Sequence, residues 1–173
     1  VLSGRSQAEA PIDGGDLALV PVSINTGPYN QTDPHVSGNL VSYTSSESGE
    51  KEVHYYDFAT GTGAVVPHSR GEIDYLSDVS AGRIAFSRVE TNGRIPILVY
   101  DVAADTTTEV APELDPFRLG SAIGGPVVAF VDLAATTEGE MVLAEIGGGV
   151  FQATTDNRVD RRPSVSPLGD YVV

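Results

Sequence analysis

Three histidines, His35, His54 and His68, are the side chains best suited to move a proton near neutral pH. None stands in a His-Glu-x-x-His pattern or at another paired-histidine spacing. His35 comes just ahead of an apolar run and is placed either to face a central channel or to lie in a surface turn. His54 sits beside Tyr55 and Tyr56 and reads as a packing residue. The 24 acidic residues are scattered along the chain. No spacing among them selects a pair for acid–base work, and no Asp-x-Asp-x-Asp-Gly run offers a calcium loop. They read as surface charge that keeps the chain soluble. No Gly-x-Ser-x-Gly elbow supplies a hydrolase serine. The chain has no cysteine, which removes thiolate zinc, a cysteine nucleophile and a disulfide framework. Gly147-Gly148-Gly149 follows one strand and opens another, so it is a hairpin turn; a phosphate loop needs a helix to receive the anion. Asn157 to Arg162 holds the one basic concentration, and its three arginines read as a salt-bridged loop or a protein contact. These readings predict no catalytic residue, no metal ligand and no cofactor, and they leave the binding residues unassigned.

The formal net charge of -14 argues against a phosphate backbone or an anionic membrane as partner. No apolar stretch approaches the roughly 20 residues a membrane helix needs, and the opening residues do not read as a signal peptide. The chain opens on Val1, as expected of a processed chain or a piece of a longer one. Its 173 residues, 40% of them hydrophobic, suffice for one domain with a real core. The 19 glycines and 11 prolines point to many short strands joined by tight turns.

The elements that position these residues show in a repeat. Val36-Ser-Gly-Asn-Leu-Val-Ser-Tyr43 returns as Val79-Ser-Ala-Gly-Arg-Ile-Ala-Phe86 and as Ile123-Gly-Gly-Pro-Val-Val-Ala-Phe130, and it opens again at Val165. The lead residues are 43, 44 and 42 positions apart. Each copy has an apolar strand ending in an aromatic, a polar turn, and a second strand at Val53–Phe58, Ile97–Val102 and Met141–Ile146. A further turn and a short third strand follow. Asp57 and Asp101 close the second strand, 44 apart, and are placed to accept backbone N–H groups of the next turn. The small residues around Ser37-Gly38, Ser80 to Gly82 and Gly124-Gly125 fall where backbones crowd. No run has a sustained 3.6-residue apolar period. A period in this range with this strand content predicts an all-β fold of four-stranded antiparallel β-propeller blades.

The run Val-Ser-Pro-Leu-Gly-Asp-Tyr-Val-Val at 165–173 resembles the W-S-P-D-G-x-x-I-A-F motif of TolB-like, or WD40-like PD40, propeller repeats. The strands at 97–105 and 53–61 resemble that family's I-Y-V-x-D-x-x-x-G strand. The likeness covers roughly residues 33–173. The family's Trp is absent, with Val36, Val79, Ile123 and Val165 in its place, and the Asp-Gly turn is eroded. The resemblance implies an interaction platform, secreted, periplasmic or at the cell surface of a bacterial envelope. Some members are the propeller part of a larger hydrolase or lyase.

The expected organisation is a leader or linker over 1–16 and a propeller-repeat domain over 17–173. Its repeats lie near 33–75, 76–118 and 119–161, with a partial one at 162–173. Leu17–Val22 is expected as a strand, with Pro21 at an edge or bulge. About three complete blades plus part of another do not close an ordinary ring. The chain is then a fragment of a larger propeller, a small ring closed by Leu17–Val22, or a half-ring that pairs with a second copy through open blade edges. The expected function is non-catalytic binding of a protein, or of a glycan. The rival is the non-catalytic propeller portion of a larger hydrolase or polysaccharide lyase. A third reading is a structural module that binds calcium.

Overall fold

A computed structural model describes residues 21–173, apart from 116, 135–137, 157 and 159. The expected leader and most of the Leu17–Val22 strand lie outside the described residues, and Pro21 and Val22 are in no strand. Among the described residues there is no helix. Twelve strands form three four-stranded antiparallel sheets, each a meander in chain order. Blade 1 holds β1 (Gln31–Ser37), β2 (Leu40–Ser45), β3 (Glu52–Asp57) and β4 (Thr62–Val65). Blade 2 holds β5 (Ile73–Ser80), β6 (Arg83–Val89), β7 (Ile97–Asp101) and β8 (Thr106–Glu109). Blade 3 holds β9 (Arg118–Gly124), β10 (Val127–Asp132), β11 (Glu140–Glu145) and β12 (Val150–Gln152).

The apolar strand that opens each sequence repeat is the second strand of its blade. The innermost strands, β1, β5 and β9, precede it. They lack a continuous apolar signature because each is broken by a bulge, and β1 is also largely exposed. Thr32 pairs with Thr44 and His35 with Ser42, so Asp33 and Pro34 together face Tyr43. The same slip puts Leu76 and Ser77 opposite Phe86, and Gly120 and Ser121 opposite Phe130. The first bulge residue is left-handed each time: Asp33 (φ 57°), Leu76 (φ 54°) and Gly120 (φ 64°). Arg162 (φ 55°) continues the series with the spacing of the repeat itself. The fourth repeat therefore opens as an inner strand, and Val165 bridges Val172 in an antiparallel hairpin.

The hydrophobic residues are buried between blades. Each sheet presents a leading face to the preceding blade and a trailing face to the next. Val79, Ile84, Phe86, Leu98 and Tyr100 on the leading face of blade 2 pack on Leu40, Val53 and Val66 of blade 1. Ile123, Val128, Phe130, Val142 and Ala144 of blade 3 pack on Ala85, Ile97, Val99 and Val110 of blade 2. Burial of this apolar area, worth about 25 cal/mol per Å², is what holds one sheet against the next. Main-chain ties register the stack: Asp74 N–H donates to the Lys51 carbonyl (2.9 Å) and Arg118 N–H to the Ile95 carbonyl (3.1 Å), 44 residues along at both ends.

Each of the first two interfaces also holds one buried guanidinium, and the two come from different strands. In blade 2, Arg88 on β6 makes a two-pronged contact with Asp74 on β5 (2.7 Å each) and donates to the Pro67 carbonyl (2.8 Å). In blade 3 the pair is inverted, with Arg118 on β9 opposite Asp132 on β10. Arg118 donates to the Ala111 carbonyl (2.8 Å), the counterpart of Pro67. Arg88 lies 5.3 Å from the Phe86 ring and Arg118 5.5 Å from the Phe130 ring, the equivalent aromatics.

One glycine is required by a close approach. A Cβ on Gly124 would lie 1.9 Å from the Ser166 carbonyl oxygen and 2.6 Å from Val165 Cγ1. The hairpin of the fourth repeat rests on that bare backbone. Gly124→Ala is expected to displace the hairpin and to cost about 1–3 kcal/mol. Hydrogen exchange should read this as lost protection of Val173 N–H, which donates to Ser164 (3.0 Å). Unchanged protection would show that the hairpin does not depend on this contact.

Candidate functional site

The inner strands bring polar groups together where the blades meet. His35 on β1 lies between two carboxylates: Nε2 is 3.4 Å from Asp33 Oδ1, and Nδ1 is 3.1 Å from Asp78 Oδ1 on β5. The other Asp78 oxygen accepts Ile123 N–H of blade 3 (2.8 Å). Asp78 thus joins three blades. Nearby, Ser77 Oγ donates to Ser42 Oγ (3.1 Å), and Ser80 Oγ accepts Gly125 N–H (3.2 Å). Of the two places the sequence allowed for His35, it does not take the surface turn: it lies in the innermost strand. It ties one blade to the next. Asp33 and Asp78 were not singled out in the sequence; the available signal was that His35 and Asp78 hold the same repeat position, 43 apart.

The hydrogen bond to Asp33, then that to Asp78, raise the His35 pKa to about 10 against the opposing effect of burial. The folded chain therefore keeps a proton that the unfolded chain releases near 6.5. The resulting stabilisation is complete below about pH 6.5 and is lost as pH rises through about 10. The ring is 42% exposed, so solvent weakens the energy. The stability difference between wild type and His35→Gln is expected to shrink between pH 6 and pH 10 (about the two pKa values) in urea titrations. An imidazole that titrates near its ordinary value by NMR would refute this.

One end of the blades carries the tight turns. Asp57 Oδ1 accepts Ala59 N–H (2.8 Å), and Asp101 Oδ1 accepts Ala103 N–H (3.1 Å) and Ala104 N–H (3.0 Å). Gly147 to Gly149 is the β11–β12 hairpin turn, closed by Glu145 N–H on the Gly149 carbonyl (2.9 Å). Between the turns of blades 1 and 2 lies a cavity of ≈ 610 Å³, lined by Ser37, Tyr55, Asp57, Thr60, Gly82 and Val102 among others.

The opposite end carries the longer loops, and its chemistry differs in every blade. In blade 1 the buried Glu52 meets His54 Nε2 (3.4 Å) and His68 Nε2 (3.2 Å), and His54 also packs on Tyr43 with ring centres 5.5 Å apart. A cleft of ≈ 380 Å³ opens there, lined by Ser48, Glu50, Glu52, His68 and Arg70. In blade 2, Arg94 bridges Glu90 (3.1 Å) and Glu109 (3.0 Å). In blade 3, Glu140 holds the position of Glu52. Its Oε2 accepts Thr154 Oγ1 (2.8 Å), which also contacts Asp160. Glu140, Asp156 and Asp160 each bring an oxygen within 4.8 Å of the others. The basic run at 157–162 lies partly outside the described residues; within it Arg158 makes an exposed 3.6 Å pair with Asp156. Among the described residues no helix is long and apolar enough to cross a membrane.

No family model and no curated protein matches the chain. Solved structures do. The chain is similar to TolB from Acinetobacter baumannii, with a TM-score of 0.65 and 16% identity over 83% of this chain and 37% of that one. It is similar to the putative TolB from Agrobacterium tumefaciens, with a TM-score of 0.59 and 19% identity over 87% of this chain and 59% of that one. The β-propeller domain of the Trilobed protease from Pyrococcus furiosus matches with a TM-score of 0.58 and 13% identity, over 74% and 44%. The chain thus spans 37% and 59% of the length of the two TolB proteins. At these identities the likeness reaches the fold alone, and with the three stacked meanders it establishes that the chain is a run of β-propeller blades of TolB-like shape.

Proposed function

We propose that the chain is a non-catalytic scaffold that presents its loop end to a protein partner, at the cell envelope or outside the cell. The observation that carries this reading is the contrast between the two ends. The turn end repeats one Asp-capped design in blades 1 and 2 and closes on main-chain bonds in blade 3, whereas the loop end sets Glu52, His54 and His68 in blade 1, Arg94 with two glutamates in blade 2, and Glu140 with Thr154 in blade 3. A rigid frame with one varied end suits recognition. The net charge of -14 favours a partner with a basic surface. The TolB-like fold supports the same reading by analogy.

The test is capture of a protein partner by the immobilised chain. Substituting Glu50 and Arg70, with Glu113 in the link between β8 and β9, all at the loop end, should remove the partner, while substituting Thr60 and Ala103 at the turn end should not. A glycan array tests the alternative ligand. No binding in either format would end the reading, and loss through the turn-end variants would reverse it.

A second reading, the propeller portion of a larger hydrolase or lyase, is favoured by the likeness to the Trilobed protease propeller. A Gly-x-Ser-x-Gly domain encoded in the flanking reading frame would decide for it.

A further inference from the structure

The links that carry the chain from blade 1 to blade 2 and from blade 2 to blade 3 are held in different ways. Residues 110–117 join β8 to β9 around Arg118, whose guanidinium donates to the carbonyls of Val110, Ala111 and Leu114. Arginine stays charged through the neutral range, so this clamp does not answer to pH there. Residues 66–72 join β4 to β5. Arg88 reaches one carbonyl of that link, that of Pro67 (2.8 Å). The tie back to blade 1 comes from a histidine. Nε2 of His68 lies 3.2 Å from Glu52 Oε1 on β3, and its Nδ1 lies 3.4 Å from the Val66 carbonyl oxygen.

Both of those neighbours are acceptors. A neutral imidazole has one N–H and serves only one of them, so its other nitrogen turns a lone pair towards an oxygen. The imidazolium donates to both. The side chains of His68 and Glu52 are 17% and 12% exposed, which leaves water little room to replace a lost bond. Counter-charge for a cationic ring is at hand. Glu50 and Glu52 face it from blade 1, and Arg70 lines the same cleft from the link itself. Asp74 on β5 lies within electrostatic reach, and Arg88 is shared between Asp74 and Glu72. Carboxylates thus outnumber guanidiniums four to two around the ring. Lys51 turns away to the Tyr75 ring (5.9 Å). His54 takes the other Glu52 oxygen (3.4 Å) from within β3 and holds no part of the link.

We propose that His68 is a proton-operated latch: the charged ring ties the 66–72 link to Glu52 of blade 1, and the neutral ring lets the link loosen at that point. Histidine is the side chain that changes charge near neutral pH. The link from blade 1 therefore responds to acidity, whereas the link held by Arg118 does not. The latch governs how the loop end is presented, because the link carries Arg70 and its Gly71 N–H donates to Glu50 Oε2 (3.2 Å).

Hydrogen exchange between about pH 6 and pH 8, where histidine changes charge, is the test. Glu72 N–H donates to the Ser69 carbonyl (3.1 Å) and reports on the first link; Leu114 N–H donates to the Ala111 carbonyl (3.1 Å) and reports on the second. After correction for intrinsic rates, protection of Glu72 should fall about tenfold across the interval, the worth of one charge-assisted hydrogen bond. Protection of Leu114 should hold. His35, with its pKa of about 10, stays charged throughout and adds nothing to the difference. His68→Gln should abolish the pH response, and His54→Gln should keep it. In wild type, the ring nitrogen resonances should show His68 doubly protonated at the acid end, with its proton leaving at the midpoint of the change in exchange. Equal protection of Glu72 at both ends, the same fall in His68→Gln, or a His68 ring that is neutral at about pH 6 overturns the proposal. The latch is read on the chain alone, so its failure leaves partner capture at the loop end standing, and the converse holds.

Discussion

Asp74→Asn is expected to lower the free energy of unfolding by about 3 kcal/mol. The carboxylate is buried, and its two oxygens take both prongs of Arg88 at 2.7 Å. Burial works to strip the guanidinium of its proton, and the Asp74 carboxylate more than offsets this, leaving Arg88 above its ordinary value. With Asn at position 74 the cation stays largely buried. It keeps the Pro67 carbonyl, the Phe86 ring and Glu72, whose Oε2 is 3.4 Å away, but the amide at position 74 offers one neutral acceptor in place of two charged oxygens. The cost is that of an uncompensated buried charge, which exceeds what the intact pair contributes over an apolar replacement. Asp74→Leu with Arg88→Met should therefore recover most of the loss. Guanidinium chloride titrations of the single and double variants decide it. A single variant within about 0.5 kcal/mol of wild type would mean that the pair is not strongly desolvated.

Arg118→Ala is expected to cost at least as much, for a different reason. The guanidinium is fully buried, and burial pulls its pKa below the ordinary value. It is held by carbonyls: Val110 (2.6 Å), Ala111 (2.8 Å), Leu114 (2.6 Å) and, through Nε, Asp115 (3.2 Å). Truncation takes the guanidinium donors from the Val110 and Leu114 carbonyls inside the link from blade 2 to blade 3, while the Ala111 carbonyl keeps Leu114 N–H and that of Asp115 keeps Phe117 N–H. Orphaned buried groups cost about 1–3 kcal/mol each, and the lost packing on Phe130 adds to that. Arg118→Lys has fewer donors and no planar fork, so it should restore less than half of the loss. Thermal melts with hydrogen exchange at Leu114 N–H, which donates to Ala111 (3.1 Å), give the readout. Full rescue by lysine would show that charge alone matters there.

The two guanidinium sites also mark where sequence reading stopped. Aligned by the repeat, position 74 matches 118 and position 88 matches 132, which sets Asp over Arg and Arg over Asp. Nothing in that alignment suggests one conserved feature. A guanidinium on a long flexible stem reaches the same carbonyl and the same aromatic ring from either of two adjacent strands. The function is kept in space while the residue type is exchanged in sequence. The inner strands were hidden for a related reason. Gln31–Ser37 and Arg118–Gly124 are both bulged, and Gln31–Ser37 is also largely exposed, so they lack the alternation by which a strand is read.

By itself the sequence determined the period, the all-β class and the blade as its unit. Those depend on main-chain spacing and on apolar faces that recur every 42 to 44 residues, which any one chain displays in its order of residues. It also placed Asp57 and Asp101 in their turns, because an Asp that caps the residues just after it acts locally. Only the tertiary structure decided what His35, Asp78, Glu52 and Arg118 do. Their partners lie on other strands or other blades. Which side chains meet there follows from how one sheet settles on the next, a distance that no spacing along the chain records.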